Sequence, residues 1–225
     1  MLFWDPTFLI LVPAILLSLW AQITVKSTFD KFSRKRSSLG ENGAQFARRL
    51  LDSLGLFDVK VERVTGFLSD HYDPQNKVLR LSDATYNSFS VAALGVVAHE
   101  VGHAVQDQKS YKPLVLRNLS VPFANFGGNL SWIIFIIGLI FSTPTLLYAG
   151  IILFSFVVLF SLITLPVEFD ASNRAIKVLP MVGMSSEEVV MVKKVLTAAA
   201  MTYVAAAFMS IMQLVRMLFL AQNRD

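Results

Sequence analysis

Apolar residues in this chain come in long uninterrupted runs, and the polar residues gather between them. The first run goes from Phe8 to about Val25 with no charge, Pro13 as its only breaker, and Trp4 and Trp20 near its ends. About 18 such residues are enough to cross a bilayer as a helix. A cleaved leader would begin with basic residues and end on small ones. Here Asp5 precedes the run and bulky residues close it, so the pattern predicts a retained span. Two further uncharged runs, about Leu130–Phe141 (starting as early as Val121) and about Leu146–Leu165, flank Ser142-Thr143-Pro144-Thr145. That tight turn makes them a helical hairpin of two spans, about 121–165. The last run, about 196–220, is Ala-rich, with Gln213 and Arg216 as its strongest polar interruptions. It reads as a span or a packed helix, since Ala198, Ala199, Ala205 and Ala206 suit close helix contacts in lipid.

Residues 37–110 follow different periods. Ala44, Phe46, Ala47, Leu50, Leu51 and Leu54 form one apolar stripe, which predicts a helix over Asn42–Leu54, ended by Gly55. Val59, Val61 and Val64 mark a β-prone stretch, and another begins at Gly66-Phe67-Leu68. Asp73-Pro74-Gln75-Asn76 is a turn before Lys77–Ser82, so a small antiparallel sheet with a hairpin is expected. As an edge strand, Lys77–Ser82 would offer its backbone to an extended peptide; as an interior strand it would not. A helix then runs from Ser90, its N-cap, to Asp107. It is almost wholly apolar before His99, and therefore buried.

Composition supports the lipid reading. Hydrophobic residues make up 54% of the 225 and charged residues only 16%, against about 25% charged in soluble domains. The formal net charge of +4 is concentrated after the first run, at Lys26, Lys31, Arg34, Lys35 and Arg36. By the positive-inside rule this puts the N-terminus outside and the following segment in the cytoplasm. No basic run is interleaved with aromatics, so nucleic acid is not an expected partner. With no cysteine and three histidines, disulfides and thiolate chemistry are excluded, and a metal would be held by His, Asp and Glu.

His99-Glu100-Val101-Gly102-His103 fits H-E-x-x-H. On a helix, positions i and i+4 share a face, so both imidazoles reach one zinc ion while the glutamate serves as general base. A catalytic site needs a third protein ligand. Glu168, just beyond the hairpin, is the candidate, with Asp170 as runner-up. On a helix these two point about 200° apart, so one alone can face the metal. His71, in Ser69-Asp70-His71-Tyr72-Asp73-Pro74, shapes the cleft or hydrogen-bonds a neighbouring Asp; Asn173 and Arg174 lie near the third ligand without an assigned role.

Three stretches carry a resemblance: Ser-Asp-His-Tyr-Asp-Pro at 69–74, Val-Ala-Ala-Leu-Gly-Val-Val-Ala-His-Glu-Val-Gly-His-Ala-Val-Gln at 91–106, and Pro-Val-Glu-Phe-Asp-Ala-Ser-Asn-Arg-Ala at 166–175. Over nearly its whole length the chain resembles the bacterial membrane zinc metallopeptidases of the YugP type. It is more distantly similar to the heat-shock and prenyl-protein membrane zinc proteases. Their later motif is Glu-x-x-Ala-Asp; Glu168 and Ala171 match it, and Ser172 stands where the Asp would be. The resemblance implies endopeptidase activity.

These readings converge on a mainly α membrane protein, a single domain over 1–225. It has about four membrane-associated helices and a small cytoplasmic zincin-like α+β part (37–110), with the third ligand in 166–195. The expected activity is zinc-dependent hydrolysis of peptide bonds, with His99, His103 and Glu168 on Zn2+ and Glu100 as base. Expected partners are the bilayer and protein or peptide substrates, in membrane proteins or their cytoplasmic segments, with the enzyme multi-pass in the cell membrane and its site on the cytoplasmic side. The alternative is a non-catalytic membrane scaffold that keeps its metal site. An intact Glu100 argues against that, because a structural site needs no base.

Overall fold

The computed structural model describes residues 6–66 and 68–222; Trp4, Asp5 and Phe67 lie outside them. Its elements are α1 (Val12–Ser33), α2 (Gly43–Ser53), β1 (Lys60–Val64), β2 (His71–Asp73), β3 (Val78–Ser82), α3 (Asp83–Tyr86), α4 (Val91–Gln108), α5 (Lys112–Ile140), α6 (Pro144–Val178) and α7 (Ser186–Gln222). Short 3-10 turns precede α1 and follow α6. The protein is mostly helical. Among the described residues, four helical segments are long and apolar enough to cross a membrane: Pro6–Ser33, Lys112–Ile140, Pro144–Val182 and Ser186–Gln222. Each outruns its apolar stretch, because charged residues at the ends of a run do not break a helix that other groups pack against.

The chain forms two compact units. One comprises 1–22, 115–166 and 201–225. Its interior is a cluster of Phe135, Leu147, Ile151, Phe154, Val158, Met217 and Ala221. Large side chains such as Ile133, Ile152 and Leu159 remain exposed on its surface, the arrangement expected where lipid rather than water is the solvent.

The other unit comprises 23–114 and 167–200 and contains the sheet, α2, α3 and α4. Asn42 caps α2 through a reciprocal pair with Gln45: its side chain accepts from the Gln45 N–H, and the Gln45 side chain accepts from the Asn42 N–H. Ser90 caps α4 by accepting from the Ala93 N–H at 3.2 Å. The buried stripe of α2 (Phe46, Ala47, Leu50, Leu51) meets Leu79, Leu81, Leu94, Val97 and Val101 in one core. Burial on all sides explains why α4 lacks a polar face.

The sheet differs from expectation. Its order is β1-β3-β2, with β1 parallel to β3 and β2 antiparallel to it. It is therefore mixed, and Val78–Ser82 is the interior strand with no free edge for a substrate. Val78, Leu79, Leu81 and Ser82 are all buried, as an interior strand requires. The hairpin turn is held by Asp73, which accepts from the N–H groups of Gln75 and Asn76 and from the Asn76 side chain, and pairs with Arg80 at 2.7 Å.

Candidate metal centre

Helix α4 carries His99, Glu100 and His103, and α6 carries Glu168. The histidine rings lie one turn apart, edge to face, with centroids at 4.8 Å. His99 Nε2 is 3.3 Å from Glu168 Oε2, and His103 Nε2 is 3.7 Å from Glu168 Oε1. One ligand atom from each residue falls within 4.8 Å of the others. A single divalent ion can bridge such a set.

Three residues come this close because of Gly102. A Cβ on Gly102 would sit 2.7 Å from the Ala171 carbonyl oxygen and 3.2 Å from its carbonyl carbon. Only glycine lets the α6 backbone approach α4 so closely between the two histidines. Ala171 itself is fully buried in that contact.

Each ring is oriented from behind. Gln106, fully buried, donates from Nε2 to the Val167 carbonyl and to Asp170 Oδ2, both at 2.8 Å. Its Oε1 therefore faces His103 Nδ1 at 3.0 Å. A carboxamide oxygen can only accept, so Nδ1 carries the proton and Nε2 presents its lone pair to Glu168. Arg174 closes the chain by pairing with Asp170 at 2.5 Å. His99 Nδ1 lies 3.1 Å from the Ser172 hydroxyl. A neutral hydroxyl thus stands behind His99.

The residues present fit a metal. Glu168 is only 4% exposed, and its Oε2 is buried with no hydrogen-bond donor. A buried carboxylate oxygen without a donor is costly unless a cation completes it. With both Nδ1 atoms engaged, the two free Nε2 atoms and this oxygen form a His/His/Glu donor set of the type that suits zinc.

Glu100 is buried, and its Oε2 accepts from the Tyr72 N–H of edge strand β2 at 3.0 Å. Burial pushes its carboxyl above the ordinary value, against the opposing pull of His103 and His99. Strand β2 is pinned on either side of Tyr72: the Tyr72 hydroxyl donates to Asp107 at 2.9 Å, and Asp70 accepts from the Ser82 N–H and hydroxyl at 2.8 Å.

The structure brings Glu168 rather than Asp170 to the histidines; Asp170 turns to Gln106 and Arg174 instead. His71 is exposed, its Nδ1 set 2.8 Å from the Ser69 carbonyl oxygen, and it does not join the cluster. Asn173 is exposed. Ser172 was visible in the sequence only as a departure from the Glu-x-x-Ala-Asp motif, and Gln106 and Gly102 were not singled out: Gln106 stands one turn beyond His103, and Gly102 is an unmarked position within H-E-x-x-H.

Two imidazoles and a buried carboxylate, with a buried glutamate on the same helix, form a group that could hold a metal ion. The chain belongs to the family described as "Putative neutral zinc metallopeptidase", which matches residues 7–222. It is similar to "Putative membrane protease YugP" of Bacillus subtilis (strain 168), with 47% identity over 213 residues, covering 94% of this chain and 95% of that protein. No solved structure matches the chain.

Proposed function

We propose that this protein is a membrane-embedded, zinc-dependent endopeptidase. The observation that carries the reading is the buried, donor-less Glu168 Oε2 facing His99 Nε2. His99, His103 and Glu168 would hold the ion. Zinc in such a site supplies Lewis acidity, which polarises a carbonyl and lowers the pKa of water.

Glu100 stands beside the ligands and takes a proton from the attacking water. As the water oxygen bonds to the scissile carbonyl carbon and the C–N bond breaks, Glu100 delivers that proton to the leaving amine. No covalent enzyme intermediate forms. Burial raises the Glu100 carboxyl above its ordinary value, which makes the carboxylate a stronger base. The Tyr72 N–H keeps the carboxylate directed across the face of α4. Gln106 fixes the His103 tautomer, Ser172 engages His99 Nδ1, and Asp170 with Arg174 fixes Gln106.

The helices carry this site in the cell membrane. The basic residues Lys26 to Arg36 support a cytoplasmic placement for the segment that holds it. Substrates are then membrane proteins or their cytoplasmic segments. The test is digestion of a peptide library and of membrane-protein substrates by the reconstituted chain. Glu100→Gln is expected to abolish cleavage while keeping its metal; cleavage at the wild-type rate would rule out the mechanism.

A further inference from the structure

The unit that holds the sheet also contains a partly open cavity of about 210 Å³, formed by α4, the last turns of α6, the turn after α6 and the end of α2. Its floor is the outer side of the core: Leu54, Ala98, Val101, Val105 and Val178. Met181, 82% exposed, stands at its edge.

This cavity and the metal centre lie on opposite sides of the Gly102–Ala171 contact. At about 100° per residue around α4 from Gly102, His99 and His103 fall about 60° and 100° to one side, and Val105 and Val101 about 60° and 100° to the other. On α6, counted likewise from Ala171, Glu168 falls about 60° to one side and Arg174 about 60° to the other. A ligand in the cavity is therefore kept apart from the ion by the helix contact itself.

Every charged residue that lines the cavity is basic: Lys109, Arg174 and Lys177. Lys109 and Lys177 are exposed, and neither side chain makes an ion pair among the described residues. Arg174 pairs with Asp170, but a guanidinium has five donors and one carboxylate takes two in a fork. The rim thus has donors and charge in excess of the one acid beside it. Apolar floor and cationic rim share a small space, so a ligand must carry its apolar group and its anion on nearly the same atom. The carboxyl-terminal residue of a peptide does so, with side chain and carboxylate both on Cα. Ligand pockets commonly exceed about 300 Å³; this one has room for a single side chain and not for the paired chains of a phospholipid.

We propose that this cavity binds the carboxyl-terminal end of a peptide chain whose last residue is apolar. The side chain enters between α4 and α6, and the terminal carboxylate meets Lys109, Arg174 and Lys177. The site anchors a chain by its end, at a place separate from the metal cleft. It rests on the packing of α4 against α6 and not on the peptidase chemistry.

The zinc-loaded, full-length Glu100→Gln protein in neutral detergent would be titrated with the dye-labelled peptide Gly-Ser-Gly-Ser-Leu, as free acid and as carboxyl-terminal amide, and binding read by fluorescence anisotropy. The acid is expected to bind at least about tenfold more tightly than the amide, the range for hydrogen bonds to a charged group. Alanine as the last residue is expected to weaken the acid roughly tenfold. Lys109→Glu combined with Lys177→Glu is expected to bring the acid-to-amide ratio near one, with zinc content unchanged. Equal binding of acid and amide to the unaltered cavity overturns the proposal without any variant. So does a ratio that survives the double substitution, or one lost when a chelator removes the zinc, which would put the carboxylate on the metal. Displacement of the peptide by octanoate at equal concentration would make this an acyl-chain site and also overturns it. Digestion of peptides by wild type tests the peptidase reading separately, so either can fail alone.

Discussion

Replacing Gly102 with alanine tests how the helix packing builds the metal centre. The added Cβ would lie 2.7 Å from Ala171 O, and ordinary van der Waals contact begins at 3.4 Å. The α6 backbone must therefore withdraw by about 0.7 Å, because the obstructing atoms are backbone and cannot rotate away. Ligand constellations tolerate only about 0.5 Å of displacement, and Glu168 is less than one turn from Ala171. Overpacking of this kind costs about 1–3 kcal/mol. Relief of the glycine's intrinsic helix penalty returns about 1 kcal/mol. The net expectation is a loss of about 0–2 kcal/mol in stability of the metal-free protein, and a 10- to 100-fold loss in zinc affinity, as for disturbed ligand support elsewhere. Zinc competition against a chromophoric chelator, run beside thermal unfolding of the metal-free chain, separates the two. If the variant binds zinc as wild type does and unfolds at a higher temperature, the helix-propensity gain has prevailed and the close approach is not what positions Glu168.

Gln106→Leu leaves His103 Nδ1 and the Val167 carbonyl without their partner in a buried site; zinc affinity is expected to fall about 10- to 100-fold, and an unchanged affinity would refute the tautomer assignment. Asp73 is held well below its ordinary value of 3.8 by Asn76 and Arg80. A carboxyl depressed in the folded state stabilises above its ordinary value, and that contribution is lost as pH falls below it. Wild type should therefore lose thermal stability more steeply than Asp73→Asn as pH falls below about 4; parallel curves would exclude the hairpin carboxylate as the source.

The long apolar runs made the helices legible, because a run of that length admits few other structures. H-E-x-x-H was legible because the helical period alone puts His99 and His103 on one face. The helical angle between Glu168 and Asp170 showed that one alone could face the histidines, and the place of Glu168 directly after the hairpin favoured it without excluding Asp170. What stayed hidden depends on contacts remote in sequence. Parallel pairing of Lys60–Val64 with Val78–Ser82 leaves no local signature, so a hairpin alone was expected and the interior place of β3 was not. Gly102 reads as an unmarked x in the motif until Ala171 is laid against it. Gln106 reads as an ordinary polar helix residue until Val167, Asp170 and His103 surround it.

We propose that His99, His103 and Glu168 together hold zinc. Metal content of the purified full-length chain tests it most directly, with wild type measured beside Glu168→Ala and Asp170→Ala. About one zinc per chain is expected in wild type, little in Glu168→Ala, and retained though weakened binding in Asp170→Ala, whose carboxylate supports Gln106 rather than the ion. Zinc retained in full by Glu168→Ala, or lost outright from Asp170→Ala alone, would contradict the assignment.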